Sequence, residues 1–291
     1  MKKKILTALI TPFDNDFHID FPALQSIIKQ QMDNGADGFI VCGTTSEAPT
    51  LTMDEQTEII ETVLSMTKGN YLVYAGAGTN CTATTISNIH AWNHFDLDGY
   101  LLTTPYYNRP SEEGLYHHFA LAAASTDKEI MLYHIPSRTA SSISLSLAKR
   151  LVKDCPNIRS IKYADADYHS MLQIKEQDPA IALYSGDDIS CIQAMKDGMD
   201  GVISVMSHIV LPAMRQTLDQ DLLYMEDDIC QLARYCFIES SPAPVKYMLA
   251  EKQCCRNILR LPMYEVKCET KRILKEQAMP LIDKINNRLH V

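Results

Sequence analysis

Residues 130–163 read IMLYHIPSRTASSISLSLAKRLVKDCPNIRSIKY, and this stretch decides the fold. Its two ends, IMLYHI from Ile130 and IRSIKY from Ile158, are short apolar runs of the kind that favours β-strands. The segment between them favours a helix. Because a helical crossover returns the chain to the same edge of a sheet, the two strands must be parallel. The stretch therefore predicts one strand–helix–strand unit of a parallel α/β protein.

The same unit repeats outside this stretch. Six further apolar runs, each followed by turn residues and a helix-like segment, are ILTALIT from Ile5, GFIVCG from Gly38, YLVYAG from Tyr71, GYLLTT from Gly99, IALYSG from Ile181 and GVISV from Gly201. Eight strands that alternate with helices over about 205 residues favour a closed (β/α)8 TIM barrel of the α/β class. An open doubly wound sheet with the same number of strands is the alternative.

The alternation of strands and helices stops after Val205. From Leu211 onward the pattern favours helices only, interrupted by Pro242, Pro244 and Pro262. We therefore predict a catalytic barrel domain over residues 1–210 and a C-terminal helical appendage over residues 211–291.

The composition of the 291 residues is typical of a globular protein, with 46% hydrophobic and 22% charged residues. The net charge is -9 and the basic residues are scattered, which disfavours nucleic acid as a partner. No segment approaches the roughly 18 uncharged apolar residues that a membrane-spanning helix needs, and the apolar run at residues 5–10 is too short for a signal peptide. Nine dispersed cysteines without a CxxC pair indicate reduced thiols, so we expect a cytoplasmic protein without a metal site.

Lys162 is the candidate nucleophile among the residues that end the strands. In a parallel barrel the active site lies at the carboxyl ends of the strands, and Lys162 lies at the end of the sixth apolar run. One interpretation is that its ammonium extends into solvent from the strand end. The other is that burial lowers the pKa of the amine and makes its neutral form available to attack a carbonyl.

Hydroxyl groups lie at the ends of three other predicted strands, on Tyr133, Tyr107 and Thr45. Each tyrosine taken singly also fits packing at the barrel rim with its hydroxyl in water. Three hydroxyls that converge on one amine would form a proton relay suited to making and dehydrating a carbinolamine. The turn Gly43-Thr44-Thr45 can also direct backbone N–H groups at a substrate carboxylate.

Arg138 lies just past Pro136, in a loop that the proline ring would hold over the barrel mouth. Its guanidinium could bind a second carboxylate through two parallel hydrogen bonds. Exposed arginines are common, so the same residue also fits an ordinary surface position.

Two further patterns point to other sites less strongly. His90 and His94 have the spacing of a metal-binding pair on a helix, but no acidic residue completes HExxH, which favours a solvated helix face. The glycines at residues 76 and 78 lack the third glycine of a dinucleotide-binding loop, so a nicotinamide site is not expected.

Taken together, the strand-end motifs resemble the family of pyruvate-dependent aldolases that includes dihydrodipicolinate synthase and N-acetylneuraminate lyase. The motifs that carry the resemblance are TALITPF from Thr7, GTTSEAPTL from Gly43, TTPYYNRPSEEGLYHHF from Thr103, YHIPSRT from Tyr133, SIK from Ser160, SGDD from Ser185, GVISV from Gly201 and SPAPVK from Ser241. The likeness covers nearly the whole chain, and its most specific parts are residues 104–114 and Tyr133 with residues 136–138.

The resemblance implies a (β/α)8 barrel in which Lys162 forms a Schiff base with pyruvate and Tyr133 acts as acid and base. It implies that Thr45 and Tyr107 complete the hydroxyl relay. Members of the family are usually homotetramers built from dimers, in which Tyr107 would reach into the site of the neighbouring subunit.

The resemblance also implies how the two substrates bind. Pyruvate would be held by the N–H groups of Thr44 and Thr45, with Gly186 and the backbone of Ile203, and Arg138 would bind the carboxylate of L-aspartate 4-semialdehyde. The product would be 4-hydroxy-tetrahydrodipicolinate, in the diaminopimelate route to lysine. The reaction would need no cofactor and no metal ion.

Five positions depart from the pattern of the family. Ser46, His134 and Tyr163 replace its usual glycine, asparagine and acidic residue, and we expect all three to crowd the pocket. Thr84 and Met53 replace a glutamate and a histidine of the site at which lysine inhibits, so we predict weak or absent inhibition by L-lysine.

Two other functions stay open at this point. One is a related aldolase or lyase that acts on N-acetylneuraminate or a 2-keto-3-deoxy sugar acid, although the sialic acid lyases lack an arginine at the position of Arg138. The other is a keto-acid-binding protein without turnover, against which the joint presence of Lys162, Tyr133, Tyr107 and Thr45 argues.

Overall fold

Eight parallel strands form a closed barrel in the order of the sequence. The computed structural model describes residues 2–165, 167–220 and 223–290. The strands are β1 (Lys4–Ala8), β2 (Gly38–Val41), β3 (Leu72–Gly76), β4 (Gly99–Thr103), β5 (Glu129–His134), β6 (Ile158–Tyr163), β7 (Ala182–Ser185) and β8 (Gly201–Ser204). The closed barrel confirms the predicted TIM-barrel fold, and the alternative of an open sheet is wrong.

Helices follow the strands as the alternating pattern predicts. Between the strands lie α1 (Phe21–Asp33), α2 (Met53–Thr67), α3 (Thr82–Trp92), α4 (Glu112–Ala123), α5 (Pro136–Thr139), α6 (Leu145–Asp154), α7 (His169–Leu172) and α8 (Cys191–Lys196), with 3-10 turns at Ala48–Thr50 and Gln173–Glu176. After β8 come α9 (Ser207–Gln220), α10 (Leu223–Cys236), α11 (Ala243–Glu251), α12 (Cys268–Ile273) and α13 (Met279–Asn287), with a π-helical turn at Leu274–Ala278 and a 3-10 turn at Arg288–His290. The C-terminal helices confirm the predicted helical region.

The chain divides into two compact units. One comprises residues 72–203, with β3 to β8 and the helices between them. The other comprises residues 2–71 together with the described residues from 204 onward, and it contains β1, β2 and the C-terminal helices. The predicted domain boundary between residues 210 and 211 stays a prediction.

A repeated Asp-Gly pair fixes the amino ends of several strands. The pair precedes or begins β2 at Asp37-Gly38, β4 at Asp98-Gly99 and β8 at Asp200-Gly201. In each case the carboxylate accepts a 2.7 Å hydrogen bond from a backbone N–H at the start of the preceding strand, on Ile5, Val73 and Leu183 respectively. Glycine is required at least at Gly99, because a Cβ there would lie 2.2 Å from the carbonyl oxygen of Glu129.

Side chains of the sequence also set where helices begin. Thr52 and Glu55 form a reciprocal capping box at the start of α2. Ser111 and Ser144 accept hydrogen bonds from backbone N–H groups in the first turns of α4 and α6. In the part of the chain that the structure describes, none of the helices has both the length and the apolar character needed to cross a membrane. None of the nine cysteines, all of which belong to the described residues, forms a disulfide.

Candidate active site

Lys162 and Tyr133 lie side by side on neighbouring strands, in the unit of residues 72–203. The two residues are register partners between β5 and β6. Because side chains at matched positions of adjacent strands point to the same face, the lysine amine reaches the tyrosine ring, and its Nζ lies 4.2 Å from the ring centroid. Both side chains are buried, with exposed fractions of 6% for Lys162 and 5% for Tyr133. The interpretation of Lys162 as a solvent-exposed strand-end lysine is therefore wrong.

Burial lowers the pKa of the Lys162 amine to about 8. This value already includes two smaller contributions: the negative charge of Asp188 raises the pKa, and the positive charge of Arg138 lowers it. At pH 7 an amine with this pKa is neutral in roughly a tenth of the molecules, against about one in 3,000 for an ordinary lysine. The site thus raises the supply of the nucleophilic form by about two orders of magnitude.

Gly186 leaves the space that the Lys162 side chain occupies. Its N–H donates a 2.8 Å hydrogen bond to the carbonyl of Tyr163, which sets it directly beside β6. A Cβ at this position would lie 2.9 Å from Lys162 Cε and 2.8 Å from the Cβ of Ala164, closer than such atoms approach each other. The predicted site residue Gly186 is therefore brought together with Lys162, and its lack of a side chain is a geometric requirement.

Asp188 is a residue of this region to which the sequence analysis gave no role. It is buried, with 2% of its surface exposed, and its charge acts on Lys162 in the direction that favours the ammonium. The signal was present in the SGDD motif, but the sequence did not show which of the two carboxylates is buried. Asp187 instead accepts hydrogen bonds from the N–H and hydroxyl of Ser190 and so shapes the loop before α8.

Arg138 belongs to the single-turn helix α5, directly after the strand of Tyr133, and is exposed. The loop is held by Thr139, whose hydroxyl donates to the carbonyls of Ile135 and Ser141 at 3.0 Å each. The hydroxyl of Thr104, beyond the end of β4, donates to the hydroxyl oxygen of Thr139 at 2.9 Å. This anchoring keeps the guanidinium on the loop next to the site while leaving it accessible to a ligand.

The structure does not bring Tyr107 together with Lys162 within one chain. The Tyr107 side chain is 91% exposed, and its backbone has a positive φ of 74°. A side chain so exposed does not pack on an amine that is buried. Ile203, in contrast, is a core residue of β8 with 1% exposure, and the contact of its backbone with pyruvate stays a prediction.

Thr44 and Thr45 lie in the other unit, in a tight turn after β2. The carbonyl of Gly43 accepts from the N–H of Ser46 at 3.2 Å, and the carbonyl of Thr44 accepts from the N–H of Glu47 at 3.1 Å. Thr44 is exposed, whereas Thr45 is buried. Their backbone N–H groups are not used by these turn hydrogen bonds, as the predicted binding of a carboxylate requires.

His134 and Tyr163 do not crowd the site, contrary to expectation. They follow Tyr133 and Lys162, are partners in the next register position, and stack with ring centroids 4.2 Å apart at an interplanar angle of 5°. Since successive residues of a strand point to opposite faces, this stack lies on the face away from the lysine amine. Ser46 is also held elsewhere, because its hydroxyl donates 2.6 Å to the carbonyl of Leu9.

Neither of the two weaker patterns gains support as a binding site. His90 and His94 are both exposed on or next to α3, in agreement with a solvated helix face. Gly78 is explained by packing, because a Cβ there would lie 2.5 Å from the backbone nitrogen of Thr103.

The chain is similar to known proteins over nearly its whole length. Residues 1–279 match the sequence model of the dihydrodipicolinate synthetase family. The 4-hydroxy-tetrahydrodipicolinate synthase of Endomicrobium trichonymphae is 36% identical over 282 residues, which covers 94% of this chain and 96% of that protein. The crystal structure of dihydrodipicolinate synthase from Bacillus anthracis has a TM-score of 0.91 and 32% identity and covers 97% of this chain and 98% of that chain. A monomeric dihydrodipicolinate synthase variant has a TM-score of 0.93 and 29% identity, with 97% of both chains covered.

Proposed function

We propose, because this chain belongs to the dihydrodipicolinate synthetase family, that it condenses pyruvate with L-aspartate 4-semialdehyde through a Schiff base on Lys162. The enzyme is a lyase, and its product is 4-hydroxy-tetrahydrodipicolinate in the diaminopimelate route to lysine. The observation that carries the mechanism is the buried Lys162 amine, with a pKa of about 8, beside the ring of Tyr133. The reaction uses no cofactor, because the lysine amine is itself the covalent catalyst.

The reaction begins when the neutral amine of Lys162 attacks the keto carbon of pyruvate. A C–N bond forms, the keto oxygen takes up a proton, and loss of water from this carbinolamine gives the Schiff base. The positive nitrogen then accepts the electron pair left when the methyl group loses a proton. The resulting enamine attacks the aldehyde carbon and forms the new C–C bond, while the aldehyde oxygen takes up a proton and becomes a hydroxyl group. The amino group of the second substrate finally replaces Lys162 at the former keto carbon, which closes the ring and frees the enzyme.

Tyr133 is proposed to move the protons of these steps. Its position as the register partner of Lys162 supports this role, because both side chains point to the same face. Thr45 and Tyr107 are proposed to complete the relay, supported by the likeness of their motifs to the family. The exposure of Tyr107 agrees with its use in a neighbouring subunit rather than in its own.

The substrate carboxylates are proposed to bind at two places. The turn N–H groups of Thr44 and Thr45, with Gly186 and the backbone of Ile203, would hold pyruvate. The close approach of Gly186 to the Lys162 side chain supports its part in this set, since it places the glycine backbone near the amine that would carry pyruvate. Arg138 would bind the carboxylate of the aldehyde, supported by its accessible guanidinium on an anchored loop.

The test of the proposal is chemical trapping. Pyruvate and borohydride should add one reduced pyruvate to the protein, and peptide mapping should place it on Lys162. Turnover with L-aspartate 4-semialdehyde, and none with N-acetylneuraminate, would identify the reaction. An adduct on another lysine, or no adduct at all, would contradict the mechanism.

Replacement of Arg138 by alanine should lower kcat/KM for the aldehyde by about 100-fold, the loss expected for a pair of charge-assisted hydrogen bonds. Pyruvate trapping at Lys162 should survive. Because the charge of Arg138 lowers the Lys162 pKa, the variant should also need a higher pH to reach its maximal trapping rate.

Arg150→Ala is the matched control for this prediction. Arg150 is also an exposed arginine of the same unit, but it pairs with Glu113 and lies over the ring of Tyr116. Its removal should leave the aldehyde kinetics unchanged. Equal values of kcat/KM for the aldehyde in Arg138→Ala and Arg150→Ala would contradict a role of Arg138 in binding the aldehyde.

A homotetramer and a location in the cytoplasm are proposed as well. The exposed Tyr107 supports assembly, since a relay that includes this residue needs a second subunit. Cysteines without disulfides agree with a reducing compartment. Sedimentation velocity at micromolar protein should give four times the chain mass, and a monomer with full turnover would exclude a role of Tyr107 in trans.

A further inference from the structure

A completely buried ion pair lies next to the turn that carries Thr44 and Thr45. Lys246 Nζ, on α11, is 2.5 Å from Glu47 Oε1, and both side chains are 0% exposed. Glu47 is only two residues from Thr45 and immediately precedes the 3-10 turn at Ala48–Thr50. The two partners are 199 positions apart in the sequence, so the pair joins the C-terminal helices to this turn.

The remaining hydrogen-bonding capacity of the pair is also engaged. Glu47 Oε2 accepts a 3.0 Å hydrogen bond from the N–H of Arg260, and Lys246 Nζ donates a 2.9 Å hydrogen bond to the carbonyl of Ile258. The ring of Phe13 lies 4.3 Å from Lys246 Nζ. Burying two charges costs several kcal/mol per ion, and such a pair often adds no stability over apolar side chains of the same size. Stability alone therefore does not account for the pair.

The backbone at Glu47 points to positioning instead. Its φ is 56°, in the left-handed region that costs a side chain such as glutamate about 1–2 kcal/mol. Its carbonyl accepts from the hydroxyl of Thr50 at 2.9 Å, and the neighbouring Ser46 carbonyl accepts from Thr11 at 2.8 Å. A non-glycine residue held in this conformation by a buried partner defines one backbone geometry for the turn.

We propose that Glu47 and Lys246 are positioning residues that hold the Thr44 and Thr45 backbone N–H groups in the geometry that binds the carboxylate of pyruvate. The proposal rests on the proposed function, since it assigns the pair to the pyruvate step. The role proposed for the pair differs from that of Arg138, because the pair would act on the binding of pyruvate and Arg138 on the binding of the aldehyde.

The test uses the full-length double variant Glu47→Gln with Lys246→Met, which removes both charges while keeping side chains of similar size. The pyruvate concentration that half-saturates borohydride trapping should rise at least about tenfold. This is the loss of affinity expected for one charge-assisted hydrogen bond. The KM for the aldehyde at saturating pyruvate should stay within about twofold, because binding of the second substrate is not affected.

Arg215→Met is the matched control for stability. Arg215 forms an ion pair with Asp37 in the same unit and also donates to the carbonyl of Lys3, but neither partner belongs to the Thr44 turn. This variant should lower the unfolding temperature without changing the half-saturating pyruvate concentration. A rise in that concentration in Arg215→Met would show that lost stability explains the effect, and it would overturn the proposal.

The outcomes distinguish this inference from the proposed function. A wild-type protein that forms no pyruvate adduct refutes the proposed function and leaves the pair without its role. The inference alone is refuted if the wild type is trapped and the folded double variant has a half-saturating pyruvate concentration within twofold of the wild-type value. If the double variant does not fold, Glu47→Asp decides, because it retains the charge and shortens the carboxylate arm by one methylene. A rise of at least threefold in the half-saturating pyruvate concentration of Glu47→Asp supports the positioning role, and a smaller change overturns the proposal.

Discussion

Replacement of Lys162 by methionine should reduce turnover by at least about 10⁴-fold, because the variant lacks the amine that we propose forms the covalent intermediate. Borohydride with pyruvate should then add no mass to the protein. Lys153→Met is the matched control, since Lys153 is an exposed lysine in the last turn of α6 in the same unit. It should keep wild-type turnover and wild-type trapping. Residual trapping in Lys162→Met at the wild-type rate would show that another amine is the nucleophile.

The same substitution should stabilise the fold at neutral pH. The folded protein holds Lys162 with a pKa of about 8 against an ordinary value of 10.5. This difference corresponds to a penalty of about 3 kcal/mol for the charged amine, which methionine does not carry. The penalty is fully present below pH 8. Between pH 8 and 10.5 the unfolded chain keeps its proton while the folded protein loses it, so the stability of the wild type rises relative to the variant.

Urea unfolding of both proteins at pH 7 and at pH 10 measures this effect. Lys162→Met should be the more stable protein at pH 7, and the difference should shrink by most of its value at pH 10. A stability difference that does not depend on pH would mean that the Lys162 amine is not held away from its ordinary pKa. Such a result would remove the physical basis of its reactivity while leaving the trapping result to be explained otherwise.

The fold could be predicted because its signals are local. Apolar runs such as GYLLTT and IMLYHI became β4 and β5, with ends that differ by at most one residue from the quoted runs. Prolines marked helix boundaries in the same way: Pro242 immediately precedes α11, and Pro244 lies in its first turn. Parallel pairing then followed from the crossovers alone, whereas the number of strands favoured a closed barrel without excluding an open sheet.

The juxtaposition of Lys162 and Tyr133 could be predicted for a similar reason, because both are polar residues at the ends of apolar strands. The error at His134 and Tyr163 came from neglecting strand alternation, which turns each residue after a site residue to the opposite face. The Glu47–Lys246 pair could not be predicted from the sequence, because no local pattern couples residues 199 positions apart. A lysine within the apolar segment PVKYML was the available cue, but its partner is defined only by the packing of the helices after β8.

Replacement of Tyr133 by phenylalanine should lower kcat by about 10²–10⁴-fold, the range for removal of a group that transfers protons in the transition state. The ring lies 4.2 Å from Lys162 Nζ and is buried, so phenylalanine keeps the packing that surrounds the amine. The final amount of trapped pyruvate at Lys162 should therefore equal that of the wild type, whereas the rate of adduct formation should fall.

Tyr100→Phe separates the loss of a proton carrier from the loss of a buried hydroxyl. Tyr100 lies on β4, is 0% exposed, and donates its hydroxyl to the carbonyl of Ile89 at 3.2 Å. Its replacement should cost about 1 kcal/mol of stability and leave turnover unchanged. If Tyr133→Phe retained more than a tenth of wild-type turnover, proton transfer would have to proceed through another group, and the buried amine would act without the tyrosine beside it.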